Sequence, residues 1–229
     1  DCSGGIWHRK DPRTMDKTGI GCGCMLEKGA GLANREIVTY LLGCAIQEIS
    51  VDERHGRLTR DGIRIYEPAE FAGMHRAGRL AATILDEVAA LVVPGVTTEA
   101  LDDFIRGQVE EVGAVSATIG YRGYQHASCI SVNHVVCHGI PGPKRLADGD
   151  VLNIDVTVIV DGWYGDTSRM YVAGELSRKA ERLIQVTHDA LMRGIEAVKP
   201  GNTFGDIGHA IQSYVEANRM SVVRDFCGH

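Results

Sequence analysis

"NIDVTVIVDGWYGDTSRM", Asn153 to Met170, is the stretch that decides how this chain reads. Strand interiors usually exclude aspartate, yet this apolar, β-branched run carries Asp155 and, beyond a turn signal, Asp166. Asp161-Gly162 is a two-residue hairpin signal. With that turn Val160 faces Trp163, Asp155 opposes Ser168 and Thr157 opposes Asp166. Side chains alternate along a strand, so Asn153, Asp155, Thr157, Asp166 and Ser168 share one face. Leu152, Ile154, Val156, Val158 and Val160 then turn toward a core. In a sheltered place two carboxylates this close cannot both stay ionised without a positive partner. A pair of divalent metals bridged by carboxylates supplies one, and is a hydrolytic arrangement. A solvated polar face is the competing reading of the same spacing.

Outward from the hairpin, helices flank the strands. Pro68 suits a first helical turn. Phe71, Met74, Ala77, Ala81, Ile84, Val88 and Leu91 repeat at helical spacing until Pro94-Gly95 stops the run. A second helix follows Thr97 or Thr98 as N-cap, with Leu101, Ile105, Val109 and Val112 on one face. Residues 115–172 read as strands and loops, and 177–198 and 203–218 as two more helices. That later pair echoes the first. Shifted by 106 residues, Val92, Pro94, Gly95 and Thr97 fall on Val198, Pro200, Gly201 and Thr203, and Leu101, Ile105 and Val109 on Ile207, Ile211 and Val215. An internal duplication is the better explanation than two unrelated helix pairs. It predicts a second sheet segment with its own polar ligands, cut off at His229. Starting at Asp1 and stopping at "FCGH", the sequence reads as a fragment.

Residues 1–60 are rich in Gly and charge, with a short helix expected around 35–49, and read as an extension of unknown role outside a domain spanning 61–229. The net charge of −6 supplies no field to attract nucleic acid or anionic lipid. Seven irregularly spaced cysteines argue against a disulfide framework and for reduced thiols in a cytoplasm. The Cys22–Cys24 pair has no second pair, so unpaired thiols are the better reading than a zinc knuckle. "IVTYLLGCAI" (37–46) is too short to span a bilayer and too far in for a signal peptide.

"YRGYQHASCISVNHVVCHGIPGP" (121–143) leads into the hairpin. Taken singly, His126, His134 and His188 read as surface or packing residues. His138 differs, because Gly139, Pro141 and Gly142 fix a turn that presents one side chain. A neutral imidazole there could donate to a substrate amide or bind metal. Cys129 and Cys137 read as buried structural thiols, since no Cys-His-Asn order supports a nucleophile.

Together "YRGY" (121–124), "CISVNHVVCHGIPG" (129–142), "DGDVLNIDVTVIVDGWYGDTSRM" (148–170), "VKPG" (198–201) and "SVVRDFCGH" (221–229) resemble the type I methionine aminopeptidases of the bacterial kind. The resemblance covers about 60–229. It implies an α+β pita-bread fold of two pseudo-symmetric helix-helix-sheet halves, the second incomplete here. It also implies a monomeric cytoplasmic hydrolase that removes the N-terminal methionine from nascent chains, near the ribosome. Asp155 would bind one metal, Asp166 would bridge two, and His229 would bind the other; the metals belong to the cobalt, manganese, iron or zinc class. His138 would hydrogen-bond the scissile amide, and Tyr121, Tyr124 and Cys129 would line the methionine pocket. The loop holding Asn133 and Val135 would offer backbone oxygens to a monovalent cation. The family's further histidine and two glutamate ligands would lie beyond His229, so these 229 residues are expected to bind metal poorly. Two alternatives share the fold: a catalytically inactive peptide-binding module, and a prolidase-like peptidase acting on X-Pro.

Overall fold

The computed structural model describes residues 56–225. The helix expected around 35–49, the Cys22–Cys24 pair and His229 lie outside them. The described residues divide into two compact units, one running to Glu181 and the other starting at Arg182.

In the larger unit a short hairpin, β1 (Arg57–Leu58) with β2 (Arg64–Ile65), precedes a 3-10 turn at Pro68–Glu70 and helix α1 (Phe71–Val88). Helix α2 (Thr98–Glu111) follows, started by Thr97, whose hydroxyl accepts the Ala100 N–H at 3.1 Å. Four strands complete the unit: β3 (Val115–Ser116), β4 (Ser128–Val132), β5 (Asp150–Val160) and β6 (Trp163–Ala173). β5 is central and every pairing is antiparallel, with β3 and β4 on one of its edges and β6 on the other.

The hairpin register agrees with the sequence reading: Val160 pairs Trp163, Asp155 pairs Ser168 and Thr157 pairs Asp166. Asp161 (φ 51°) and Gly162 (φ 81°) are both left-handed, as a primed two-residue turn requires. Leu152, Ile154, Val156 and Val158 are fully buried, while Val160, next to the turn, is half-buried. The four buried residues pack with Ile84, Leu85, Val88, Leu101, Ile105 and Val109 from the two helices, so the helices cover one face of the sheet.

The buried face of α1 keeps Ala77, Ala81, Ile84 and Val88 of the expected set and departs from it at the two ends. Gly73, Ala77, Ala81, Ile84, Leu85 and Val88 are buried, whereas Phe71, Met74 and Leu91 are exposed. Small residues explain the change. A Cβ on Gly73 would stand 2.2 Å from the Trp163 indole nitrogen, and one on Gly165 would stand 2.2 Å from the Ala77 carbonyl oxygen. With hydrogen alone at these contacts α1 lies directly on β6, which turns Phe71 and Met74 outward.

The Tyr171 hydroxyl donates to the Leu85 carbonyl, and burial pushes its pKa up to about 12. An unfolded tyrosine titrates near ~10, so the folded chain holds this proton more tightly. The resulting stability is complete below that unfolded value and is lost as pH rises through the folded one. Tyr171→Phe should therefore show a shallower loss of urea midpoint between about pH 10 and 12 than the parent chain. Tyr124, which burial and the neighbouring Cys129 thiol also push up, and Tyr214, pushed up by its hydrogen bond to Asp189, contribute to the slope that remains.

In the smaller unit helices α3 (Arg178–Glu196, in this unit from Arg182) and α4 (Phe204–Ala217) pair through Tyr214. Its hydroxyl donates to Asp189 at 3.0 Å and the Arg193 guanidinium lies 4.2 Å from its ring centre. The 106-residue echo persists in geometry. α2 and α4 are both 14 residues long and start at equivalent positions, and Gly95 and Gly201 share φ 94°. Among the described residues no helix is long and apolar enough to cross a membrane.

Candidate metal centre and pocket

The face of the sheet turned away from the helices carries the candidate site. Thr157 donates its hydroxyl to Asp166 at 3.1 Å, and the Asn153 amide reaches Ser168 at 3.3 Å, so these side chains lie on one surface. Asp155 belongs to the same surface by strand alternation and is a diagonal neighbour of Asp166. Asp155 is half-buried and Asp166 exposed. Two hard oxygen donors on one accessible face suit a divalent cation by donor chemistry. Among the described residues no three His, Cys, Asp or Glu side chains gather as a cage would need. His229, the third ligand expected from sequence, is outside that set.

β4 extends the site. Cys129 is the direct cross-strand partner of Asp155, so Cys129, Asp155 and Ser168 form one row across three strands. Tyr124 reaches the same row. Burial, then the Cys129 thiol, then the charges of Asp102 and Asp155 hold its hydroxyl well above the usual tyrosine range. The structure thus brings Tyr124, Cys129 and Asp155 together. Tyr121 sits apart on the adjoining 3-10 turn, exposed, with the Arg122 guanidinium 5.6 Å from its ring centre. Cys129 and Cys137 are both half-buried rather than fully buried, because β4 and the following loop meet solvent here.

His138 has φ 53°, a conformation that L residues rarely adopt. The loop imposes it. Gly139 accepts the Ile130 N–H at 2.8 Å through its carbonyl and donates its own N–H to the Ser131 hydroxyl at 3.1 Å. A Cβ on Gly139 would stand 2.1 Å from the Ile130 oxygen, so only glycine lets the loop lie this close to β4. Gly142 exchanges two hydrogen bonds with the Thr98 hydroxyl, at 2.9 and 3.0 Å, which ties the loop's far end to the start of α2. Asn133 (φ 54°) spends its side chain on Asp150 at 2.7 Å and on the Val151 N–H at 3.1 Å. Val135 is exposed in the same turn.

One cluster escaped the sequence reading. Asp102 of α2 is buried, and its Oδ1 accepts from the Ser128 N–H at 2.8 Å and hydroxyl at 2.7 Å. His126 Nδ1 lies 3.2 Å and Arg106 Nη2 3.7 Å from its Oδ2. His126, read singly as a surface or packing residue, is part of this network. The signal was present: Thr98, Asp102, Ile105 and Val109 share a helical face, and all four are buried.

Comparison with known proteins places this geometry in a class. Residues 72–229 match metallopeptidase family M24, and the chain belongs to that family. Its α+β architecture is the pita-bread fold. The chain is 53% identical over 167 residues to the methionine aminopeptidase of Rickettsia prowazekii, a match spanning 73% of this chain and 64% of that protein. The crystal structure of methionine aminopeptidase from the same organism superposes with a TM-score of 0.70, covering 71% of this chain and 66% of that one. Prolidase from Pyrococcus furiosus shares the fold at 19% identity and a TM-score of 0.60, over 66% of this chain and 44% of that one.

Proposed function

We propose that this chain serves metal-dependent removal of the N-terminal methionine from new polypeptides in the cytoplasm. The observation that carries the reading is the row of Cys129, Asp155 and Ser168 with Tyr124 beside it, which sets a half-polar wall next to paired carboxylates in a member of family M24. Likeness to the Rickettsia prowazekii enzyme over 73% of this chain supports methionine as the residue removed.

Asp155, Asp166 and His229 would hold two divalent ions of the cobalt, manganese, iron or zinc class. When bound, such ions supply Lewis acidity and bring the pKa of water down toward ~7. The chain's own residues do the rest. Tyr124 and Cys129, with Tyr121 at the rim, receive the methionine side chain, whose unbranched thioether adapts to a half-polar wall. His138, fixed by its loop, hydrogen-bonds the scissile amide and steadies charge that develops there. Backbone oxygens around Asn133 and Val135 would serve a monovalent cation. Residues 1–60 form an extension to the catalytic domain, and the protein acts as a monomer close to the ribosome.

The test is methionine release from a Met-Ala-Ser peptide by the full-length protein loaded with manganese, cobalt, iron or zinc. Release with any of these ions is the expected result. No release with any of them overturns the reading in favour of a peptide-binding module, and cleavage of an X-Pro peptide alone would point to prolidase-like chemistry.

A further inference from the structure

The main chain leading into Cys129 is gripped at every carbonyl from Gln125 to Ser128 by a side chain. Arg106 donates to the Gln125 oxygen at 2.8 Å, Thr118 to that of His126 at 2.7 Å and Ser116 to that of Ala127 at 3.0 Å. The Tyr124 hydroxyl donates to the Ser128 oxygen at 2.8 Å. Asp102 holds the other side of the last of these residues, through both the N–H and the hydroxyl of Ser128. Its second oxygen faces His126 and Arg106, and Arg106 is itself one of the four donors. A buried carboxylate is costly unless several donors surround it, and here those donors are Ser128, His126 and Arg106, the last of which also belongs to the clamp.

We infer that Asp102 is a positioning residue, which fixes Ser128 and through it sets the Tyr124 hydroxyl and the Cys129 thiol against Asp155. It touches neither substrate nor metal in this scheme. The inference rests on the pocket reading of Tyr124 and Cys129 for its effect on catalysis, but its effect on Cys129 itself does not depend on that reading.

Two measurements on the full-length, metal-loaded protein test it. In Asp102→Asn, KM for Met-Ala-Ser should rise about tenfold while kcat stays within about twofold, the signature of lost substrate placement. In a Tyr124→Phe background, which lacks the linking hydroxyl, the same substitution should change KM by less than about threefold, because the two residues act through one contact. Separately, alkylation of Cys129 by iodoacetamide, followed by peptide mapping, should speed up several-fold relative to Cys137. If Asp102→Asn does not fold cooperatively, Ser128→Ala takes its place, with a KM rise of about threefold and the same faster alkylation of Cys129. An unchanged Cys129 rate in a folded variant overturns the positioning role whatever the activity. A full tenfold effect persisting without the Tyr124 hydroxyl overturns the link through Ser128. Absence of methionine release by the parent protein overturns the proposed function instead, and leaves the alkylation result to judge Asp102.

Discussion

Asp166→Asn is expected to leave the metal-free protein as stable as before, or slightly more so, and to abolish its stabilisation by metal. The Thr157 hydroxyl donates to Asp166 Oδ1, and the asparagine oxygen can accept the same bond. What disappears is one of two negative charges lying diagonally across β5 and β6, and with it the repulsion they exert on each other. An ion that binds only the folded state stabilises it by an amount that grows with the logarithm of its concentration over Kd, so the full-length parent protein should melt higher in millimolar manganese or cobalt and the variant should not. Methionine release should fall by about a thousandfold or more, roughly 4 kcal/mol of transition-state stabilisation. Calorimetric melts with and without metal check the first part. A parent melt indifferent to every divalent ion would make this a solvated polar face after all.

Gly165→Ala should destabilise the fold severely, although it adds a single methyl group. The added carbon would meet the Ala77 carbonyl oxygen at 2.2 Å and the Gly78 nitrogen at 2.6 Å, and both are backbone atoms of α1. Neither can swing aside, so the helix must lift off β6, at about 3 kcal/mol or more, the upper range for overpacking. Gly165 also precedes Asp166, so the same displacement disturbs the candidate metal face. Gly107→Ala in α2 is the control: its Cβ would meet nothing within 4 Å, and it should stabilise by ~0.4–1 kcal/mol through the unfolded chain. Urea midpoints of the two variants should move in opposite directions.

Why the hairpin was legible in full and α1 only in part follows from where each is specified. Asp161-Gly162 fixes a register locally, and a period of two then assigns every side chain of β5 and β6 to a face. The acidic face followed from that alone. For α1 the periodicity places Ala77, Ala81, Ile84 and Val88 correctly, but at its start the choice was made by Gly73 and Gly165, whose hydrogens admit Trp163 and the Ala77 carbonyl. Close approach of small residues is a tertiary fact with weak local trace. Asp102 was missed for the opposite reason: its position was legible, but an aspartate on an apolar face is discounted until its donors on Ser128, His126 and Arg106 are seen. The roles of Tyr124 and Cys129 came from resemblance, because nothing in the spacing of "YRGYQHASC" announces that these two meet opposite Asp155.

The grip on residues 125–128 is applied to peptide oxygens, which every amino acid possesses. Gln125 can therefore change its side chain without loosening its hold, whereas Ala127, fully buried in the core, cannot. A wall supported in this fashion separates architecture from chemistry: drift at its outer side chains can try new substrates while the scaffold beneath keeps its shape.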